Sequence, residues 1–321
     1  MAQLPIQRSC GSHDVHVEML RTNPDYAHAR AAIEMQAESF ARSAAAAEQA
    51  GPRVIAVVVH VIFREAEENI SDQQIKSQID VLNGDFRKKN ADVANVPGPF
   101  QPLASDALVE FALARIDPDG QPTTGITRTP TTVPRFFEDN AMKFTAQGGK
   151  DAWDATRYLN IWVCPEILRR IDGRPLLGYA QFPGGLPATD GVAIVHNAFG
   201  TTGTATAPFN LGRTATHEVG HWLDLRHISG DRTDCSGDDL VADTPRQQRQ
   251  NFGTPTFPHI TCNNGPNGDM FMNYMDYVDD NAMFMFSAGQ VVRMQATLAG
   301  PRSTIGLQAV ASMAGVTLSA A

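Results

Sequence analysis

The run THEVGHWLDLRH over residues 216–227 restricts this chain more than any other feature. A helix over residues 215–223 would set His217 and His221 one turn apart on one face, with imidazoles converging on a single point. His227 comes six residues after His221, too far round to share that face, so the helix must end between them if a third nitrogen is to complete the site. Asp224 stands where that break falls, and Asp is one of the few non-glycine residues that adopts the left-handed conformation in which helices end. Three nitrogens on a tetrahedral ion leave the fourth position to water, the arrangement of a catalytic zinc. Glu218, beside the first ligand, would take a proton from that water and pass it to a leaving amine.

These residues resemble the elongated zinc signature of the metzincin metallopeptidases, HExxHxxGxxH followed by a Met-turn. Asp224 occupies the place of the signature glycine. Enzymes that share only HExxH and draw a Glu from a later helix as third ligand fit less well, because His227 is at hand. Residues 272–277 (MNYMDY) resemble the Met-turn, which implies that Met275 packs beneath the metal without ligating it. The same resemblance implies that Tyr277 hydrogen-bonds the developing oxyanion.

Within the metzincins the chain is most similar to the pappalysin family, over residues 52 to 300. The likeness includes 158–164 (YLNIWVC), 178–183 (GYAQFP), 190–194 (DGVAI), 239–245 (DLVADTP) and 273–280 (NYMDYVDD). It implies an α/β (α+β) catalytic domain: a mixed twisted sheet, a backing helix and an active-site helix above an irregular lower subdomain that holds the Met-turn. It also implies that Asp280 lies at the base of the pocket for the residue after the scissile bond, favouring Arg or Lys there. Asp238, Asp239, Asp243 and Thr244 gather hard oxygen donors, and the family's calcium site falls on Asp239, Asp243 and Thr244. A solvated acidic turn is the other reading of that run.

Four cysteines allow three complete pairings, or free thiols. Cys235 and Cys262 flank an irregular segment rich in Asp, Pro and Gly, the kind of long loop a disulfide stabilises, and the resemblance supports the same pair. A second family disulfide is missing, since Thr254 and Ala282 stand at its positions.

Residues 1–51 read as a pro-segment, polar and irregular at first and then helical over the Ala-, Glu- and Gln-rich residues 31–50. Cys10, in Arg8-Ser9-Cys10-Gly11, could place its sulfur at the fourth position of the zinc and silence the enzyme, as in pappalysin-like zymogens. The alternatives are a bond to Cys164 or a free surface thiol. His13 and His16 are expected to be solvated, without a metal role.

The catalytic domain is expected over residues 52–321, with its upper part at about 52–227, its lower part at about 228–300 and a tail at 301–321. Residues 54–63 (VIAVVVHVIF) are apolar enough for a central strand with His60 in the core. Ser71 and Gln74 open a helix that buries Ile75, Ile79, Leu82 and Phe86. Further strands are expected at 108–116, 158–164, 178–182 and 191–196, with a long polar stretch up to Lys150. Residues 190–199 are expected to be the strand to which an extended peptide adds. Ser287 and Gln290 should cap a last helix that Pro301 stops.

The reading is a zinc endopeptidase made as a zymogen, acting on proteins or peptides and held by its own pro-segment as an intramolecular inhibitor. A net charge of −9 disfavours nucleic-acid binding, and no apolar run reaches the roughly 20 residues that span a bilayer. The expected location is secreted, extracellular or periplasmic, with the export leader not present in this chain. The rival is a zinc- and calcium-bound interaction module with little peptidase activity, if Asp224 displaces His227.

Overall fold

A computed structural model describes residues 4–43 and 51–306; the expectations for residues 44–50 and for most of the C-terminal tail lie outside the described residues. The strands are β1 (Arg53–Phe63), β2 (Val109–Leu113), β3 (Ile126–Pro130), β4 (Phe136–Phe137), β5 (Tyr158–Cys164), β6 (Ile167–Leu168), β7 (Pro175–Leu176), β8 (Gly178–Ala180), β9 (Val192–Val195), β10 (Phe252–Gly253) and β11 (Tyr277–Val278). The helices are α1 (Ser12–Thr22), α2 (Pro24–Ala41), α3 (Asp72–Phe86), α4 (Arg213–Trp222) and α5 (Ala288–Ala299).

The main sheet runs β2-β1-β5-β9-β8, and β3 continues beside the second half of β1. β1 is central because it has a strand on each side and its β-branched residues are covered on both faces: Val57, Val58, Val59 and Val61 have no exposed surface. Its His60 is a core residue as expected, with Nδ1 at 2.8 Å from Thr127 Oγ1 and Nε2 at 3.0 Å from Asn160 Oδ1. β1, β5 and β9 are mutually parallel, and β8 returns antiparallel along the edge. α3 starts at the Ser71 cap and buries Ile75, Leu82 and Phe86.

Two elements differ from the sequence reading. The polar stretch before Lys150 contains β3, whose side chains stay partly exposed because only one of its edges is paired, so apolar alternation does not mark it. The N-terminal segment read as a pro-segment is helical from Ser12: α1 buries only Ser12 and Val15, and Asn23 with Pro24 then breaks it and starts α2.

The lower part is loop-rich. Its Met-turn is fastened to α5 by reciprocal hydrogen bonds between the side-chain amides of Asn273 and Gln290, at 2.7 and 3.0 Å. Ser287 and Gln290 form the capping box of α5. Cys235 and Cys262 are bonded, while Cys164 is a buried free thiol and Cys10 a free one. This removes the Cys10–Cys164 alternative.

Candidate metal centre and cleft

α4 presents His217 and His221 on one face, and the chain then turns at Asp224, whose φ of 75° is left-handed, to bring back His227. The turn is not left to propensity. Arg293 donates to the Asp224 carbonyl at 2.7 Å and to its carboxylate at 2.9 Å, so the residue in the glycine's place is held from two sides.

The three Nε2 atoms lie 2.9 to 3.2 Å apart. Nitrogens bound tetrahedrally at the usual zinc distance would be roughly 3.3 Å apart. Each Nδ1 is engaged elsewhere: His217 donates to the Tyr274 carbonyl at 2.7 Å, His221 to the Leu225 carbonyl at 2.7 Å, and His227 to Asp231 Oδ1 at 2.6 Å. These partners fix the tautomers and leave three lone pairs facing one point, an arrangement that calls for a cation. Burial, followed by the neighbouring imidazoles, pushes His217 and His221 well below the ordinary histidine range, which keeps them in the neutral, ligating form. The residues present therefore fit zinc.

Cys10 Sγ completes the group at 3.5 Å from His221 Nε2, with all four ligand atoms within 4.8 Å of one another. Among the described residues this is the cluster of three or more His, Cys, Asp or Glu donors that could hold a metal. The same sulfur lies 3.5 Å from Glu218 Oε2. Burial raises Glu218 to about 7, and the Ser12 hydroxyl donates to its carboxylate at 2.8 Å. The Tyr277 hydroxyl reaches to 3.2 Å from His227 Nε2.

Beneath the centre, Met275 packs against α4 at Gly220. A Cβ on Gly220 would fall 2.4 Å from Met275 Sδ, so any larger residue there would displace the Met275 side chain. Asp280 is buried, and its Oδ2 accepts from the Leu211 amide at 2.7 Å and the Arg213 amide at 3.3 Å. Its Oδ1 faces the guanidinium of Arg8, which also donates to the Val278 carbonyl at 2.9 Å and lies over the Phe209 ring at 5.2 Å.

The expected peptide-adding strand needs correction. β9 is flanked by β5 and β8, so its backbone groups are already paired. The free edge is β8 and the residues before it, and residues 9–11 add there: the Leu177 amide donates to the Ser9 carbonyl and the Gly11 amide to the Gly178 carbonyl, both at 3.0 Å. Gly11 suits that close approach, since a Cβ would sit 2.9 Å from Leu176 Cδ1 and 3.2 Å from Tyr179 Cβ.

His13, whose side chain is 43% exposed, and His16, which is half-buried, each have a partner that the sequence did not suggest. His13 Nδ1 is 3.1 Å from Asp231 Oδ2, and His16 Nδ1 is 2.7 Å from the Tyr26 hydroxyl. Arg8, Ser12 and Asp231 were missed as site residues. Arg8 two residues before Cys10, and Asp231 four after His227, were the available signals.

In the acidic loop, both Asp239 oxygens lie 2.9 Å from the Thr244 hydroxyl. Asp243 instead accepts from the Ser287 hydroxyl at 2.6 Å and the Gly289 amide at 2.8 Å, capping α5. Asp238 is exposed and pairs with Arg246.

Residues 143–299 match the peptidase family described as Pregnancy-associated plasma protein-A. An "Extracellular metalloprotease" of Verticillium alfalfae is 31% identical over 253 residues, covering 76% of each chain. Another of the same name, from Pyricularia oryzae, is 30% identical over 300 residues, covering 90% of this chain and 88% of its own. Mature mirolysin of Tannerella forsythia in complex with a cleaved peptide is 50% identical with a TM-score of 0.77, covering 82% of this chain and 98% of its own. A promirolysin mutant from the same organism is 47% identical with a TM-score of 0.85, covering 94% of this chain and 98% of its own. With the metzincin-type architecture and the histidine cluster in place, these likenesses show that the chain belongs to the pappalysin family of metallopeptidases.

Proposed function

We propose that this chain is the zymogen of a secreted zinc endopeptidase that cuts before Arg or Lys, with residues 1–51 as pro-segment and 52–321 as catalytic domain. The observation that carries the reading is the joint placement of Arg8 and Cys10: one segment sets a guanidinium against Asp280 and a sulfur at the fourth corner of the histidine cluster. The likeness to promirolysin covers 94% of this chain, whereas that to the mature enzyme covers 82%, consistent with a pro-segment in the difference. Relatives named extracellular, and a disulfide that forms in oxidising compartments, support secretion.

His217, His221 and His227 would hold the zinc, which supplies Lewis-acid polarisation of the scissile carbonyl and lowers the pKa of water. This chain's residues do the rest. The β8 edge lines up the substrate backbone once the pro-segment has left it. Asp280 receives the basic side chain after the cut bond. Glu218 takes the proton of the attacking water and delivers it to the departing amine, and Tyr277 donates its hydroxyl to the developing oxyanion.

Calcium at Asp239, Asp243 and Thr244 is part of the same reading. Its support is Asp239, a buried carboxylate raised to about 7 by burial, which accepts from the Val241 amide and the Thr244 hydroxyl. Calorimetric titration of the chelator-stripped protein with calcium tests this; no heat and no rise in Tm would remove it.

The interaction-module alternative required Asp224 to displace His227, and the convergence of the three nitrogens speaks against it. The function is tested by incubating pro-segment-trimmed protein with a peptide library. Cuts before Arg or Lys, lost on chelation, support the reading, and zinc-loaded protein that cuts nothing contradicts it.

A further inference from the structure

The pro-segment touches the catalytic domain at a second place, through α2. α2 lies along α5, where the Gln36 side chain donates to the Ala296 carbonyl at 3.1 Å and Ile33 and Ala37 are buried. At the centre of this contact is Asp224. Arg30 lies 2.6 Å from Asp224 Oδ1, donates to the Pro183 carbonyl at 3.2 Å, and stands over the Phe182 ring at 5.6 Å. Glu34 pairs with Arg30 at 2.9 Å, Arg293 at 2.5 Å and Arg226 at 3.2 Å. Arg293 closes the lattice by returning to Asp224. The Asp224 side chain has no exposed surface and Arg30 has 5%.

We infer that α2 is a docking element in its own right and that Asp224 is its receptor, so that a chain cut between Ser43 and Gly51 remains a non-covalent complex, held independently of Cys10. Replacing Arg30 and Glu34 while α2 stays docked would leave Asp224 and Arg293 buried with fewer partners. Breaking one side of a buried charge pair costs far more than breaking an exposed one, and the cost appears mainly in the dissociation rate. A glycine at position 224, as in the zinc signature, would present no carboxylate. The departure from the signature thus provides the pro-segment with its anchor, three residues from a metal ligand.

The inference rests on the zymogen reading only in taking residues 1–51 as a detachable piece. Its test uses the full chain with a site-specific protease sequence placed in residues 44–50, cut quantitatively and followed by dilution and gel filtration. The cut parent and cut Cys10→Ala should both keep the fragment with the catalytic domain. The cut Arg30→Met/Glu34→Gln chain, Cys10 intact, should release it at least about tenfold faster. Asp224→Asn tests the same contact from the catalytic side and should also speed release. A parent that falls apart on dilution, a Cys10→Ala chain that releases as fast as the double variant, or a double variant that releases like the parent would each overturn the inference. Co-elution is read without any activity, so a retained fragment on a domain that cleaves nothing would sink the peptidase reading and leave this one standing.

Discussion

Arg8 and Asp280 form an ion pair across the cleft in which each side chain is 1% exposed. The pair joins the N-terminal segment to Asp280, the residue proposed above to receive a basic side chain. Because Asp280 Oδ2 is already taken by backbone amides at the start of α4, Oδ1 remains for the guanidinium.

Asp280→Asn keeps an oxygen for those amides and removes the charge. In the pro-segment-free enzyme it should lower kcat/KM for a peptide with Arg after the cut bond by roughly a hundredfold, about 2–3 kcal/mol. A matched peptide with a neutral residue should change little. Kinetics on the two peptides checks this, and equal losses on both would speak against a specificity role.

Cys10→Ala removes the sulfur and leaves the Arg8–Asp280 pair and the Ser12–Glu218 hydrogen bond in place. The uncut variant should therefore gain peptidase activity over the uncut parent, but stay about tenfold or more below trimmed enzyme. A fluorogenic peptide assay on the uncut chains measures it. Full activity without trimming would mean that sulfur alone enforces latency.

The zinc motif was legible because helical spacing and one left-handed residue dictate where three imidazoles meet, and β1 and β5 were legible because strands covered on both faces must be apolar. The edge of the sheet was not. Whether β8 or β9 is free depends on which strand pairs last, a non-local fact, and both segments look alike as short apolar runs. His13 and His16 misled for the same reason: their partners, Asp231 and Tyr26, are read only once α1 has packed. Arg8 carries no local signal of its role, because its partner Asp280 lies 272 residues away in the sequence.

Gly220→Ala would ordinarily favour a helix by about 1 kcal/mol. Here the new methyl would fall 2.4 Å from Met275 Sδ, so the fully buried Met275 side chain must move. The overlap should win, with a net destabilisation on the order of 2 kcal/mol and weaker zinc retention. Thermal melts and chelator competition report both; a higher Tm would contradict the packing described.

Lys143 is a buried ammonium, 2.7 Å from the Thr189 carbonyl and 5.0 Å over the Trp162 ring, and burial pushes it down to about 7. Between about 7 and its ordinary value near 10.4 the unfolded chain binds more protons than the folded one, so this group makes stability rise with pH across that window. Lys143→Met should flatten that rise, by a few kcal/mol at most. Denaturant unfolding of parent and variant at pH 7 and pH 10 gives the difference, and parallel pH dependences would exclude a depressed Lys143.

The central claim is a zinc centre whose proton carrier is Glu218. Its most direct test is zinc content and peptide turnover measured on the same pro-segment-free samples of parent and Glu218→Ala. We predict one zinc per chain in both and turnover only in the parent, lower in the variant by about four orders of magnitude or more. Comparable turnover in zinc-loaded Glu218→Ala, or a parent that binds zinc and cleaves nothing, would contradict the account.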